Sequence, residues 1–227
     1  MKKLLRGIVD FRKNVRSGYR ETFARLALGQ APDALFVACS DSRVVPNLFA
    51  STEPGDLFVI RNVGNIIPPC GADGLSVGDL SEAAAIEFST ITLKVTDIIV
   101  CGHSECGAMR ALLEGQGPTP TIHLRAWLHH AQSALQKFQG GMRMNATLSL
   151  PNHLSQLNVL HQLENLRTYP VVRDQICAGQ LNLHGWWFDI ANAEVLAYEV
   201  SEGRFVVIDE KEAERILSRI DDEPRER

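Results

Sequence analysis

The chain has 227 residues, 45% of them hydrophobic and 22% charged, with 23 basic against 27 acidic side chains and a net charge of −4. That length and balance suit one large domain with a sizeable core, and basic residues scattered along an acidic chain of pI near 6.0 give nucleic acid no stripe to follow. No apolar run is long enough to cross a bilayer, so a membrane is not an expected partner.

The opening Met1-Lys2-Lys3-Leu4-Leu5-Arg6 is basic, but Arg6 and Asp10 interrupt the apolar stretch that a signal peptide needs. We expect a cytoplasmic protein whose five cysteines stay reduced, an odd count that fits metal or core roles better than a disulfide framework. Residues 3–28 read as a long amphipathic helix, with Leu4, Leu5, Ile8, Phe11, Val15, Tyr19, Phe23 and Leu26 near helical period and a break or bend at Gly18. Its apolar face has two available covers: a second subunit, which we expect, or its own sheet.

Gln30-Ala31-Pro32-Asp33 turns the chain into an apolar strand that ends at Cys39, and Pro46 opens a short helix through Phe49. Glu53-Pro54-Gly55-Asp56 is a turn before a second strand over 57–60, after which a glycine- and proline-bearing loop runs to Asp79. A helix over 80–93, a strand over 97–101 and a helix starting near Ser104 and ending by Gly115 follow. Beyond a Pro118-Thr119-Pro120 turn come helices over 122–138 and 152–166, the latter with Leu154, Leu157, Val159, Leu160 and Leu163 on its apolar side, and a shorter one from Pro170 to Gly179. Residues 181–189 and 194–200 read as strands joined by a turn, 211–220 as a short helix, and the last seven residues as a frayed charged end. Strands alternating with helices, closed by a hairpin, predict an α/β fold with a mainly parallel central sheet, in a single domain over 1–227.

Two short motifs stand at the ends of buried strands: Cys39-Ser40-Asp41-Ser42-Arg43 and His103-Ser104-Glu105-Cys106. Neighbouring strand ends at the carboxyl edge of one open sheet would bring two thiols, an imidazole and a carboxylate together, a tetrahedral zinc set. Cys39 and Asp41, two apart in extended chain, share a side; His103 and Cys106, three apart, would share one face of a first helical turn. Asp41 has two available places. It can close the fourth coordination position, or Arg43 can hold it away through a paired hydrogen bond and leave that position to water. Activity should then rise with pH, because the open state and the ionised water are both favoured by deprotonation.

These motifs, with Gly102 and Gly107 flanking the second, resemble the β-class carbonic anhydrases, and so do Glu53-Pro54-Gly55-Asp56-Leu57-Phe58-Val59-Ile60-Arg61-Asn62 and Leu183-His184-Gly185-Trp186. The resemblance covers roughly residues 5–205. It implies a lyase that hydrates carbon dioxide reversibly to bicarbonate and a proton by attack of zinc hydroxide. Cys39, His103 and Cys106 would be permanent zinc ligands, and the Asp41–Arg43 dyad would gate and orient. Gln30 from a neighbouring subunit would bond substrate, with Phe58, Val63 and the Gly107 backbone lining the pocket. The family's dimer exchanges N-terminal helices, so residues 1–30 would be dimerisation helices, 31–205 the zinc-binding core and 206–227 a tail, with dimers pairing into a tetramer or larger. Phe88 replaces the family's usual tyrosine, and the 71–81 loop departs from its usual pattern. Phe36, Arg61 and Phe188 stand where one subgroup uses Trp, Arg and Tyr to bind a regulatory bicarbonate, so no such switch is expected here.

Two rivals compete with this reading. A structural zinc site in an interaction protein accommodates the cysteines and His103 but leaves Asp41 and Arg43 unexplained. A thiol redox enzyme would need a Cys-x-x-Cys pair, which the sequence lacks. Cys70, Cys101 and Cys177 are expected as unmodified thiols, His129 and His130 as solvated, His184 as structural, and Trp127 as core or interface.

Overall fold

A computed structural model describes residues 1–115, 121–145 and 147–222; the Pro118-Thr119-Pro120 turn and most of the charged end lie outside them. Six strands form one sheet: β1 Ala34–Cys39, β2 Leu57–Asn62, β3 Asp97–His103, β4 Asn182–Asp189, β5 Glu194–Glu199 and β6 Arg204–Val207. Their order is β2-β1-β3-β4-β5-β6, parallel from β2 to β4 and antiparallel beyond. The sheet is therefore mainly parallel, as the alternation of elements predicts. Strand β6 is not among the strands read from sequence, because four residues are too few for an alternating pattern to register.

The helices are α1 Lys2–Asp10, α2 Arg16–Leu26, α3 Pro46–Phe49, α4 Leu80–Glu87, α5 Gly107–Glu114, α6 Ile122–Leu128, α7 Gln132–Gln139, α8 Leu150–Leu166, α9 Pro170–Cys177 and α10 Glu210–Asp222. A π-helical turn over Phe11–Val15 joins α1 to α2, so the N-terminal helix runs on through Gly18 and is loosened ahead of it. One interior glycine weakens a helix by about 1 kcal/mol without ending it. A second π-helical turn, Phe88–Thr92, extends α4, and a 3-10 turn at His129–Ala131 separates α6 from α7. Neither α1 nor α2 buries a residue, and Leu4, Leu5, Ile8, Val9 and Phe23 stand exposed. Helix α10 is tied back to the sheet, where Glu199 of β5 is buried and clamped by Arg215 and Arg219.

All six residues of β1 are buried, as a strand covered on both faces requires. Leu35 and Val37 pack with Ile98, Val100 and Val159 on one face; Phe36 and Ala38 pack with Ile99, Cys101 and Phe188 on the other. Helix α8 closes on β3 at Gly102, where a Cβ would stand 2.7 Å from Val159 and 3.1 Å from Trp187. From β1 the chain goes to β2 on one side and to β3 and β4 on the other. The carboxyl ends of β1 and β3 thus flank a topological switch point, the crevice where open α/β sheets bind ligands. Cys39 is the last residue of β1 and His103 the last of β3.

Candidate metal centre

Cys39, His103 and Cys106 are buried and bring two sulfurs and a ring nitrogen within 4.8 Å of one another. A tetrahedral ion with metal–sulfur bonds of about 2.3 Å sets its two sulfurs about 3.8 Å apart, so the donors are close to a finished sphere. His103 Nδ1 faces the Ser104 carbonyl at 2.9 Å, which makes it the protonated nitrogen and leaves Nε2 with its lone pair. That Nε2 is buried and has no hydrogen-bond partner among the described residues, an expensive arrangement unless a cation occupies the space it faces. The two sulfurs act on one another: the neighbouring Cys106 thiol lowers the pKa of Cys39, while Cys39 and burial push that of Cys106 up.

The second motif is not the opening turn of a helix. His103 ends a strand, Cys106 caps α5, and Glu105 between them takes a left-handed φ of 54°. A non-glycine residue there costs about 1 kcal/mol, and tertiary bonds hold it. Ser104 N–H donates to Phe188 O at 2.9 Å, Ile190 N–H donates to Ser104 Oγ at 2.9 Å, and Glu105 N–H donates to Asn152 Oδ1 at 2.7 Å.

Asp41 lies beside the three donors but outside their cluster, with Oδ2 4.0 Å from His103 Nε2. Arg43 takes both carboxylate oxygens, Nε to Oδ1 at 2.9 Å and Nη2 to Oδ2 at 2.8 Å, and its own N–H bonds Oδ1 at 3.0 Å. This fork holds the Asp41 carboxyl well below the usual range and raises Arg43 in turn. Of the two places open to Asp41, the structure has the arginine-held one.

Of the other expected site residues, Gln30 is exposed in the loop before β1, Phe58 is half-buried on β2, Val63 is 41% exposed, and Gly107 opens α5 with free space above it. Phe88 meets Phe58, ring centres 5.8 Å apart. Phe36 and Phe188 lie in an apolar cluster with Phe49 and Trp186. Cys101 is core, and burial pushes its thiol up; His184 Nε2 pairs with Asp97 at 2.8 Å.

Two sets of supporting residues escaped the sequence reading. Arg61 reaches from β2 to the carbonyls of Cys39 at 2.8 Å and Asp41 at 2.7 Å, fixing the backbone of the first motif. Helix α8 carries polar side chains at 152, 155, 158, 162 and 165, along the face turned to the site. Ser155 Oγ donates to His103 O at 2.8 Å, Asn158 Nδ2 to Gly64 O at 3.0 Å, and Asn165 Nδ2 to Ile67 O at 2.8 Å, while Gln162 Oε1 accepts from Ile67 N–H at 2.8 Å. Polar residues spaced by three and four along a helix with an otherwise apolar side were the available signal.

The carbonic anhydrase family profile matches residues 34–195. A carbonic anhydrase of Synechocystis sp. is 42% identical over 202 residues, covering 88% of this chain and 71% of that protein. One of Pseudomonas aeruginosa is 40% identical over 210 residues, covering 92% and 93%. The solved β-carbonic anhydrase CcaA superposes with a TM-score of 0.83 at 41% identity, over 91% of this chain and 98% of that one. A tetrameric β-carbonic anhydrase from Sordaria macrospora does so with a TM-score of 0.73 at 29% identity, over 86% and 95%.

Proposed function

Because the chain belongs to the carbonic anhydrase family, in its β class, we propose that it hydrates carbon dioxide to bicarbonate on a zinc ion held by Cys39, His103 and Cys106. The observation that carries this reading is the convergence of two thiols and an unpartnered imidazole nitrogen beside an arginine-held carboxylate. Two sulfurs and a nitrogen with one position left open suit zinc. Bound there, zinc supplies a Lewis acid that makes water ionisable at a pKa on the order of 7.

The remaining steps belong to the chain's own residues. Arg43 keeps Asp41 ionised and aimed, so that Oδ2 accepts a hydrogen bond from the attacking water and fixes its lone pair toward substrate. A carboxylate this acidic accepts the hydrogen bond without taking the proton, which leaves for solvent. The half-buried Phe58 and the exposed Val63 offer apolar walls to a nonpolar substrate, the Gly107 backbone lies at the start of α5, and Gln30 of a second subunit is proposed to complete the pocket. Free thiols at all five cysteines suit a reducing compartment, in keeping with a cytoplasmic enzyme. No helix of the described residues is long and apolar enough to cross a membrane.

The dyad does not titrate over the working pH range. The folded pKa of Asp41 lies below its ordinary value, so the pair contributes above the ordinary carboxylate range and is lost only in strong acid. A rise in turnover from pH 7 to 9 therefore comes from ionisation of the nucleophile, with Asp41 a carboxylate throughout. Metal analysis paired with stopped-flow carbon dioxide hydration tests the whole reading. We expect zinc in every chain and turnover rising over that range; zinc-replete protein without hydration would leave a structural metal site in its place.

The exposed row Leu4, Leu5, Ile8 and Val9 is proposed to pack on a second subunit, giving a homodimer that assembles into a tetramer or larger. Leu5→Glu with Ile8→Glu is expected to lower the mass measured by analytical ultracentrifugation and to cut turnover, since Gln30 would be withdrawn from its neighbour's pocket. An unchanged mass would return this face to its own chain.

A further inference from the structure

Cys39 Sγ accepts a hydrogen bond of 3.3 Å from the N–H of Gly64. The carbonyl of that same peptide group, Val63 O, accepts at 2.7 Å from Trp127 Nε1 of α6. One amide thus carries a chain of donors: indole N–H to carbonyl, then amide N–H to sulfur. A bond received at the carbonyl polarises the amide and strengthens the bond its N–H gives, most of all where the acceptor is a charged thiolate in a buried site.

The amide is held in place as well as polarised. Gly64 has a φ of 85°, and a Cβ on it would stand 3.1 Å from Ala108 and 3.2 Å from Met109, so it sits against the helix that follows Cys106. Its own carbonyl is taken by the buried Asn158 at 3.0 Å. With no side chain on Gly64 to fix the peptide plane, the indole is the one hydrogen-bond partner seen at the carbonyl end among the described residues.

We propose that Trp127 is a positioning residue of the metal centre, which through the Val63–Gly64 peptide sets the hydrogen bond to Cys39 Sγ and so the donor strength of that thiolate. The inference rests on the metal reading above. An N–H···S bond draws charge from the sulfur, leaving a better Lewis acid for water; without it, the sulfur gives more to the metal and the site is less well preformed.

The test uses cobalt(II) in place of zinc in the full-length protein. Trp127→Phe keeps aromatic bulk and loses the donor; Trp127→Leu serves where the Phe variant does not accumulate. The sulfur-to-cobalt charge-transfer band is expected to move to longer wavelength, and chelator competition to show metal held about 10- to 100-fold less tightly, the usual cost of losing an outer-shell partner. Tyr169→Phe is the control, because it removes a buried hydrogen bond to Pro68 O and touches neither Val63 nor Gly64. A loaded wild type with an unshifted Trp127 variant overturns the proposal alone, as does an equal shift in Tyr169→Phe. A wild type that takes up no cobalt overturns the metal reading and this inference with it.

Discussion

Replacing Cys39 by alanine is expected to strip the chain of its metal and to take turnover down with it, by at least about 10³-fold. Losing an outer-shell partner already costs roughly 10- to 100-fold in affinity, and Cys39 is proposed as a donor itself. The change removes one sulfur atom from the end of a buried strand and leaves the neighbouring strand pairing intact. It also leaves His103 Nε2 and the Cys106 thiol buried without the ion proposed to join them. A ligand present at 1,000 times its dissociation constant stabilises the state that binds it by about 4 kcal/mol, so the variant should also melt earlier than the loaded enzyme. Atomic absorption after gel filtration, stopped-flow hydration and a melting curve read the three effects together. Cys177→Ala, at an exposed thiol, should leave all three unchanged. Metal retained by Cys39→Ala would take this residue out of the donor set.

What the sequence conveys about the centre lies in its strand ends. Apolar runs that stop at Cys39 and near His103 announce parallel strands, and their order in the sheet puts both ends at one crevice. The local shape of the second motif is a different matter. Ser104 followed by Glu105 looks like a helix start, but the Ser104 hydroxyl is engaged by Asp189 and Ile190, more than eighty residues away, and Glu105 turns left-handed. Tertiary partners override the capping signal and delay the helix to Gly107. The polar stripe on α8 shows in its spacing, but its partners, the end of β3 and the loop after β2, lie roughly fifty to one hundred residues distant and cannot be read from that periodicity.

Arg61 makes the point from the opposite side. Its position in the family pattern suggests a remnant of an anion site, whereas its guanidinium is spent on the Cys39 and Asp41 carbonyls. A backbone carbonyl as the partner of an arginine is invisible in any sequence, since every residue carries one. The N-terminal helix was legible as amphipathic, and its Leu4, Leu5, Ile8 and Val9 stand exposed among the described residues. That exposed face is the one proposed above to pack on a second subunit.

The second large effect belongs to the dyad, where two substitutions should act in different ways. Asp41→Asn keeps the size of the side chain and takes away its charge, so the water loses its acceptor and Arg43 loses a carboxylate. Metal content should be unchanged while turnover falls by about 10²- to 10⁴-fold, the range found when a positioned acid–base group is removed. Arg43→Ala leaves the carboxylate in place and frees it. Since the guanidinium is the chief cause of the depressed pKa of Asp41, that pKa should climb back toward the ordinary range. The released oxygen stands only 4.0 Å from His103 Nε2, close enough to move onto the fourth position of the proposed metal and shut water out. The variant should therefore hold its zinc, turn over slowly, and in a crystal grown above pH 8 carry Asp41 on the metal. Wild-type turnover in Asp41→Asn would remove this carboxylate from the mechanism, and Arg43→Ala with Asp41 still turned away would mean that something other than the arginine keeps the fourth position open.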